Sequence, residues 1–144
     1  MLYLGRYNNS IDSKGRVVIP AKFREKLGDA FVICGGFDRC LFVYSMSDFE
    51  QFSETLMNLP RNDEKARKFR QFFLTTAAEV EPDKQGRILV GDDLIRFAEI
   101  QKDVVIVGNG EHIEIWSKER FPDATKFEDI GELAEALSEF GIRI

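Results

Sequence analysis

The stretch IDSKGRVVIP, residues 11–20, has a counterpart further along the chain, PDKQGRILV, residues 82–90. Both contain Asp-x-x-Gly-Arg followed by three β-branched or aliphatic residues. Internal repetition constrains fold strongly, because each copy must be one supersecondary unit and the copies must share a core. The likeness extends beyond the loops. Phe31-Val32-Ile33-Cys34-Gly35 aligns with Val104-Val105-Ile106-Val107-Gly108, and Leu41-Phe42-Val43-Tyr44-Ser45 with Ile113-Glu114-Ile115-Trp116-Ser117. Each half reads as loop, short strand, short helix, strand, glycine-containing turn, strand. One unit of about 40 residues is too small to be stable alone. Two in a chain of 144 residues can close a common core.

Local signals set the expected elements. Residues 17–19 and 88–90 read as strands by β-branching and brevity. Pro20 suits a first helical turn, Phe23 and Leu27 share one face, and Gly28 ends that helix. Asp92 and Asp93 sit where a helix N-terminus favours negative charge. Gly35-Gly36 and Gly108-Asn109-Gly110 are expected to supply positive φ angles in hairpin turns. Ser47 with Glu50 reads as a capping box. The helix it opens carries Phe49, Phe52 and Leu56, and Pro60 ends it. Residues 63–74 form the next helix, with Phe69, Phe72 and Phe73 turned inward. Residues 130–140 read as an acidic amphipathic helix with Leu133, Ala134 and Leu137 on its apolar face, expected to dock on its own barrel. The halves, 1–75 and 76–144, are expected to pack as one compact unit.

Composition narrows the function. The chain is 44% hydrophobic and 31% charged. No run reaches the roughly 18–20 apolar residues of a membrane span, and the first residues lack a signal-peptide pattern. A soluble, cytoplasmic protein without membrane partners is expected. Cys34 and Cys40 are read as two reduced, packed thiols. With His112 they lack zinc-site spacing, so no metal is expected. There is no nucleophile–base pair, Walker loop or HExxH, so neither an enzyme nor a cofactor is expected.

The net charge of −5 argues against a simple nucleic-acid binder, but it is unevenly spread. Residues 6–26 hold six cations and two anions, and residues 61–70 five and two. Residues 111–144 hold four cations and nine anions. The second loop region, 79–101, holds three cations and six anions, so the first loop is expected to dominate any affinity for an anion. Asp-x-x-Gly-Arg can be only a turn, with Asp bonding its own backbone and Gly left-handed. A turn does not need Arg in both copies, however, nor a lysine inside each loop. Arginine on a rigid strand scaffold suits phosphate and guanine contact.

The first loop with Lys22-Phe23-Arg24 resembles the signature of the AbrB/SpoVT/MazE DNA-binding fold. The tandem pair, Asp12 with Arg16 and Asp83 with Arg87, resembles the MraZ family. So do the segments GRYNNSIDSKGR, FFLTTAAEVEPDKQGRILV and VVIVGNGEHIEIWS. The resemblance covers nearly the whole chain except its last 20 or so residues. It implies an α+β, β-rich fold: a small swapped-hairpin (double-split) β-barrel of two AbrB/SpoVT-like repeats with flanking helices. It implies a bacterial transcriptional regulator at the head of the division and cell-wall gene cluster. Such a regulator binds direct repeats of double-stranded DNA in its own promoter and assembles into a ring, commonly octameric, at the nucleoid. Carried over by position, Arg16, Arg87 and Lys14 are candidate DNA contacts. Gln85 stands at the place of Lys14 in the second copy, where the cation has moved to Lys84, also a candidate, with Arg6, Lys22 and Arg24 behind them. Asp12, Gly15, Asp83 and Gly86 shape the loops. An antitoxin-like or adaptor module that binds a protein through the acidic tail is the competing reading.

Overall fold

The computed structural model describes residues 2–126 and 129–141. The first half runs β1 (Arg6–Ser10), β2 (Arg16–Val18), α1 (Ala21–Leu27), β3 (Phe31–Gly35) and β4 (Leu41–Ser45). Helices α2 (Met46–Met57) and α3 (Glu64–Thr76) follow. The second half runs β5 (Ala78–Val80), β6 (Arg87–Leu89), α4 (Asp92–Phe97), β7 (Asp103–Gly108) and β8 (Ile113–Ser117). Helix α5 (Ile130–Ala136) continues as a 3-10 turn, Leu137–Phe140.

Six strands form one antiparallel sheet in the order β1-β7-β8-β4-β3-β5, and β2 pairs with β6 as a separate ribbon. The order shows strand exchange. β1 precedes the first loop, yet it pairs with β7 of the second half, Tyr7 opposite Ile106. β5 precedes the second loop, yet it pairs with β3 of the first half, Val32 opposite Glu79. The ribbon joins both halves with Val17 opposite Ile88. Hairpins β3–β4 and β7–β8 meet where Phe42 lies opposite Glu114. This is the β-rich α+β, swapped-hairpin architecture that the family resemblance implies. Neither half satisfies its own strand edges.

Strand alternation divides the apolar residues into two cores. Ile33, Leu41, Val43, Ile106 and Ile115 pack with Val17, Ile19, Ile88 and Val90 of the ribbon side. Cys34, Phe42, Tyr44, Val105 and Trp116 face the other way, where Leu56 of α2 and Phe73 of α3 join them. β3, β4 and β8 are therefore buried on both faces. Both cysteines are free and buried, and burial pushes the Cys34 thiol up to about 12, so it stays protonated. Within this outer layer Glu114 is a buried carboxylate. It accepts from Trp116 Nε1 at 2.9 Å and Asn109 Nδ2 at 2.9 Å, and lies 3.0 Å from His112 Nε2. Burial pushes its pKa up, but the bonds from His112, Asn109 and Trp116 outweigh burial and the net shift is downward.

The structure corrects several local expectations. The ribbon strands begin one residue earlier than expected, at Arg16 and Arg87. Ser45, not Ser47, caps α2: its extended backbone lets Oγ accept from the Asp48 amide at 3.1 Å. That helix ends at Met57 with Asn58 as its cap, before Pro60. At the first hairpin Asp38 and Arg39 take positive φ, while Gly36 is extended. Gly35 and Gly36 serve packing instead: a Cβ on either would stand 2.5 Å from the ring of Phe72 or Phe42. On α3 only Phe73 is fully buried, and Phe69 is 41% exposed, because the apolar stripe is centred on Phe73. The C-terminal helix is not docked: Leu133 and Leu137 are 51% and 42% exposed. Residues 127, 128 and 142–144 of that tail lie outside the described residues.

Residues 1–75 expressed alone are expected to show no cooperative thermal transition as a monomer. Mixing with 76–144 should restore one, since each fragment holds the other's missing edge strand. Native-like melting of monomeric 1–75 would refute the exchange. Gly35→Ala should cost about 1–3 kcal/mol in chemical denaturation, as overpacking against Phe72 does.

Candidate nucleic-acid interface

Each repeated loop is a closed hydrogen-bonded turn. In the first, Asp12 Oδ1 accepts from the amides of Lys14 at 3.0 Å and Arg16 at 2.8 Å. The Asp12 and Arg16 backbones bond at 3.0 Å, and the Gly15 amide reaches the Asp12 carbonyl at 3.0 Å. Arg16 Nε then donates to Asp12 Oδ2 at 2.8 Å. The second loop repeats this: Asp83 Oδ1 accepts from Gln85 and Arg87 amides at 2.9 Å each, and Arg87 Nε reaches Asp83 Oδ2 at 2.8 Å. Gly15 and Gly86 take φ of +82° and +79°, the left-handed region open to glycine.

The loops are locked across the repeat boundary. Gly15 O accepts from the Val90 amide at 2.8 Å, and Gly86 O from the Ile19 amide at 2.9 Å. Each loop is thus held by the strand end of the other half. A Cβ on Gly15 would meet Val90 O at 3.0 Å, and one on Gly86 would meet the Arg24 guanidinium at 2.6 Å.

The ribbon sets the spacing of the arginines. Its register pairs Arg16 with Leu89, Val17 with Ile88 and Val18 with Arg87. Val17 and Ile88 are buried, so the outward face carries Arg16, Val18, Arg87 and Leu89. Arg16 and Arg87 are diagonal neighbours on that face, about 7–8 Å apart. Each arginine bonds its aspartate through Nε, which leaves the terminal Nη nitrogens for a ligand. Val18 is 39% and Leu89 63% exposed. Sequence reasoning missed these two, because Val-Val-Ile and Ile-Leu-Val contain no polar residue to show which position faces outward.

The remaining candidates separate. Lys14 and Lys84 stand exposed in their loops. Arg24 comes from the first half yet lies against Gly86 of the second loop, where Nε donates to Ile19 O at 2.8 Å. The matching place beside Gly15 holds Ile95. The fold thus moves a cation to the loop that had seemed acidic in sequence. Lys22 is exposed on α1. Arg6 is not part of this cluster: it pairs with Asp123 at 2.7 Å beside Val105 and Phe121, on the sheet face away from the ribbon.

The two aspartates carry the electrostatic signature of the motif. The Asp12 carboxyl is held below its ordinary 3.8, first by the Arg16 backbone amide and also by the Arg16 side chain. Asp83 is lowered likewise, first by the Arg87 amide. The pairs are internally neutral, so Arg16 and Arg87 add direction more than long-range charge.

A strand-exchanged barrel with two such loops defines a tandem swapped-hairpin protein of the AbrB/SpoVT type. A family model described as "MraZ protein, putative antitoxin-like" matches twice, over residues 2–72 and 73–135. "Transcriptional regulator MraZ" of Caldanaerobacter subterraneus subsp. tengcongensis is 48% identical over 143 residues, 98% of this chain and 100% of the relative. The protein of that name from Lachnoclostridium phytofermentans is 46% identical, covering 98% of this chain and 99% of its own. That from Clostridium tetani is 42% identical, covering 98% and 100%. The chain belongs to the MraZ family.

A depressed aspartate contributes loop stability that is present above its unfolded pKa of about 3.9 and is lost as pH falls through the lower folded value. Carboxyl NMR titration should place Asp12 and Asp83 below 3.8. In Arg16→Ala, Asp12 should rise only part of the way, because the backbone amide at position 16 remains. A full return to the ordinary value would mean that the turn is held by the side-chain ion pair alone.

Proposed function

We propose that this protein is a sequence-specific DNA-binding transcriptional regulator that uses both Asp-x-x-x-Arg loops to bind direct repeats in its own promoter. The observation that carries the reading is the outward pair Arg16 and Arg87 on the two-stranded β2–β6 ribbon. A ribbon of that kind fits the major groove, where an arginine can hold guanine O6 and N7 together. Asp12 and Asp83 orient the guanidinium groups before contact, so less side-chain entropy is lost on binding. Val18 and Leu89 lie beside them and suit thymine methyl groups. Lys14, Lys84, Lys22 and Arg24 supply the phosphate attraction that the neutral ion pairs lack. Arg6, tied to Asp123 on the far face, is the weakest of the contacts carried over.

The regulatory role is supported by the names of the relatives. Likeness to the family is the support for the division and cell-wall gene cluster as target, and for a cytoplasmic, nucleoid-associated location. The same reading makes the chain a pair of repeats, 1–75 and 76–144, that act as one unit without catalysis. Copies assemble into a ring, taken as an octamer, and weak loop contacts then sum through effective concentration. The exposed apolar side of α5 favours one further reading, an antitoxin-like or adaptor protein that uses its tail.

The test is binding to a duplex of direct repeats against a scrambled duplex, over a salt series. Arg16→Ala and Arg87→Ala should each cost about 1–3 kcal/mol on the repeats and little on the scrambled duplex. Lys14→Ala should weaken both duplexes alike and lower the salt slope by about one. Absence of binding to either duplex at low salt by folded protein would reduce the loops to turns.

A further inference from the structure

Two surfaces among the described residues are complementary. The first is a groove of about 540 Å³ at the α2–α3 corner. Leu59, Pro60 and Leu74 contribute its apolar lining, and Arg61, Arg67 and Arg70 its charged rim. Arg67 donates to the Arg61 carbonyl at 2.9 Å and Arg70 to Met57 Sδ at 3.4 Å. Among the described residues none of these three arginines pairs with a carboxylate.

The second surface is the C-terminal helix. Ile130, Leu133, Leu137 and Phe140 recur at the spacing of one helix face, and they are 58%, 51%, 42% and 70% exposed. Asp129, Glu132, Glu135 and Glu139 accompany them. An apolar stripe flanked by acids is the complement of an apolar groove rimmed by arginines.

The two surfaces are attached to different parts of the sheet. Residues leading toward α5 are pinned on the β1/β7 side of the sheet, by Phe121 against Trp116 at 6.0 Å and by Asp123 on Arg6. The groove belongs to α3, which packs on β3 and is tied there by the Gly35 amide on Thr76 Oγ1 at 3.0 Å. β1 and β3 are four places apart in the sheet, which is about 19 Å at ordinary strand spacing.

We propose that the acidic amphipathic helix α5 of one copy docks in the arginine-rimmed α2–α3 groove of a second copy. The contact is heterologous, with a different surface on each partner, so every copy keeps one free helix and one free groove for the next. It rests on the self-assembly part of the function proposed above and is independent of DNA reading, since Arg16 and Arg87 belong to the separate β2–β6 ribbon.

The experiment is sedimentation equilibrium of the full chain at two salt concentrations, with variants checked for an unchanged melting temperature. Arg67→Glu with Arg70→Glu should weaken self-association at least about tenfold, and Glu132→Arg with Glu135→Arg should do the same. Combining all four should restore a substantial part of it, a rescue that mere misfolding does not give. Self-association that all variants retain would overturn the helix-in-groove contact and leave assembly itself standing. A monomeric wild type would overturn both. A synthetic peptide of residues 122–144 that binds only the tail-truncated chain, beside a monomeric full-length chain, would place the helix in its own groove and refute docking between copies.

Discussion

Everything in this molecule depends on the pairing of strands across the repeat boundary. Val17 meets Ile88 at the centre of the ribbon, β1 completes the second half, and β5 completes the first. A half separated from its partner would expose two strand edges and the inner core. The exchange also explains the presence of a duplication in one chain. Joining the copies makes their pairing intramolecular, so its entropy cost does not depend on protein concentration.

The same exchange builds the loops. Gly15 is anchored by Val90, and Gly86 by Ile19, each from the opposite half. Loop geometry is therefore a property of the whole barrel rather than of five residues. The aspartate of each motif spends one oxygen on two amides and the other on the arginine. Backbone and side chain are set by one group, which is why the two arginines share one orientation. Local charge is rearranged too, since Arg24 crosses to the second loop while Ile95 faces the first.

Charge is divided by surface. The acids that make the total negative are concentrated in the last third of the chain, while cations line the α2–α3 corner and the loops. Glu114 lies beneath these surfaces, buried between the sheet and its helical cover, with Trp116, Asn109 and His112 around it. Three partners make burial of a carboxylate tolerable, and they fix the Gly108-Asn109-Gly110 turn to β8.

Much of the fold was legible in the residues. The repeat announced two copies of one unit, and β3, β4 and β8 fell where β-branched and aromatic runs placed them. Asp-x-x-Gly-Arg already pointed to a turn in each copy, because its hydrogen bonds close within five residues. Other features depend on residues distant in sequence. Which face of Val17-Val18 turns outward was decided by what lies beneath, and the role of Gly35 by the ring of Phe72. The left-handed angles at the first hairpin went to Asp38 and Arg39, because its glycines were needed for close packing. Short-range chemistry sets the duplication, the two Asp-x-x-Gly-Arg turns and the amphipathic tail, and these could be read from the residues alone. Only the tertiary structure decided that each half lends a strand to the other, that Arg16 and Arg87 stand side by side, and that Arg24 joins the second loop. Those are contacts between distant segments, and no local pattern encodes them.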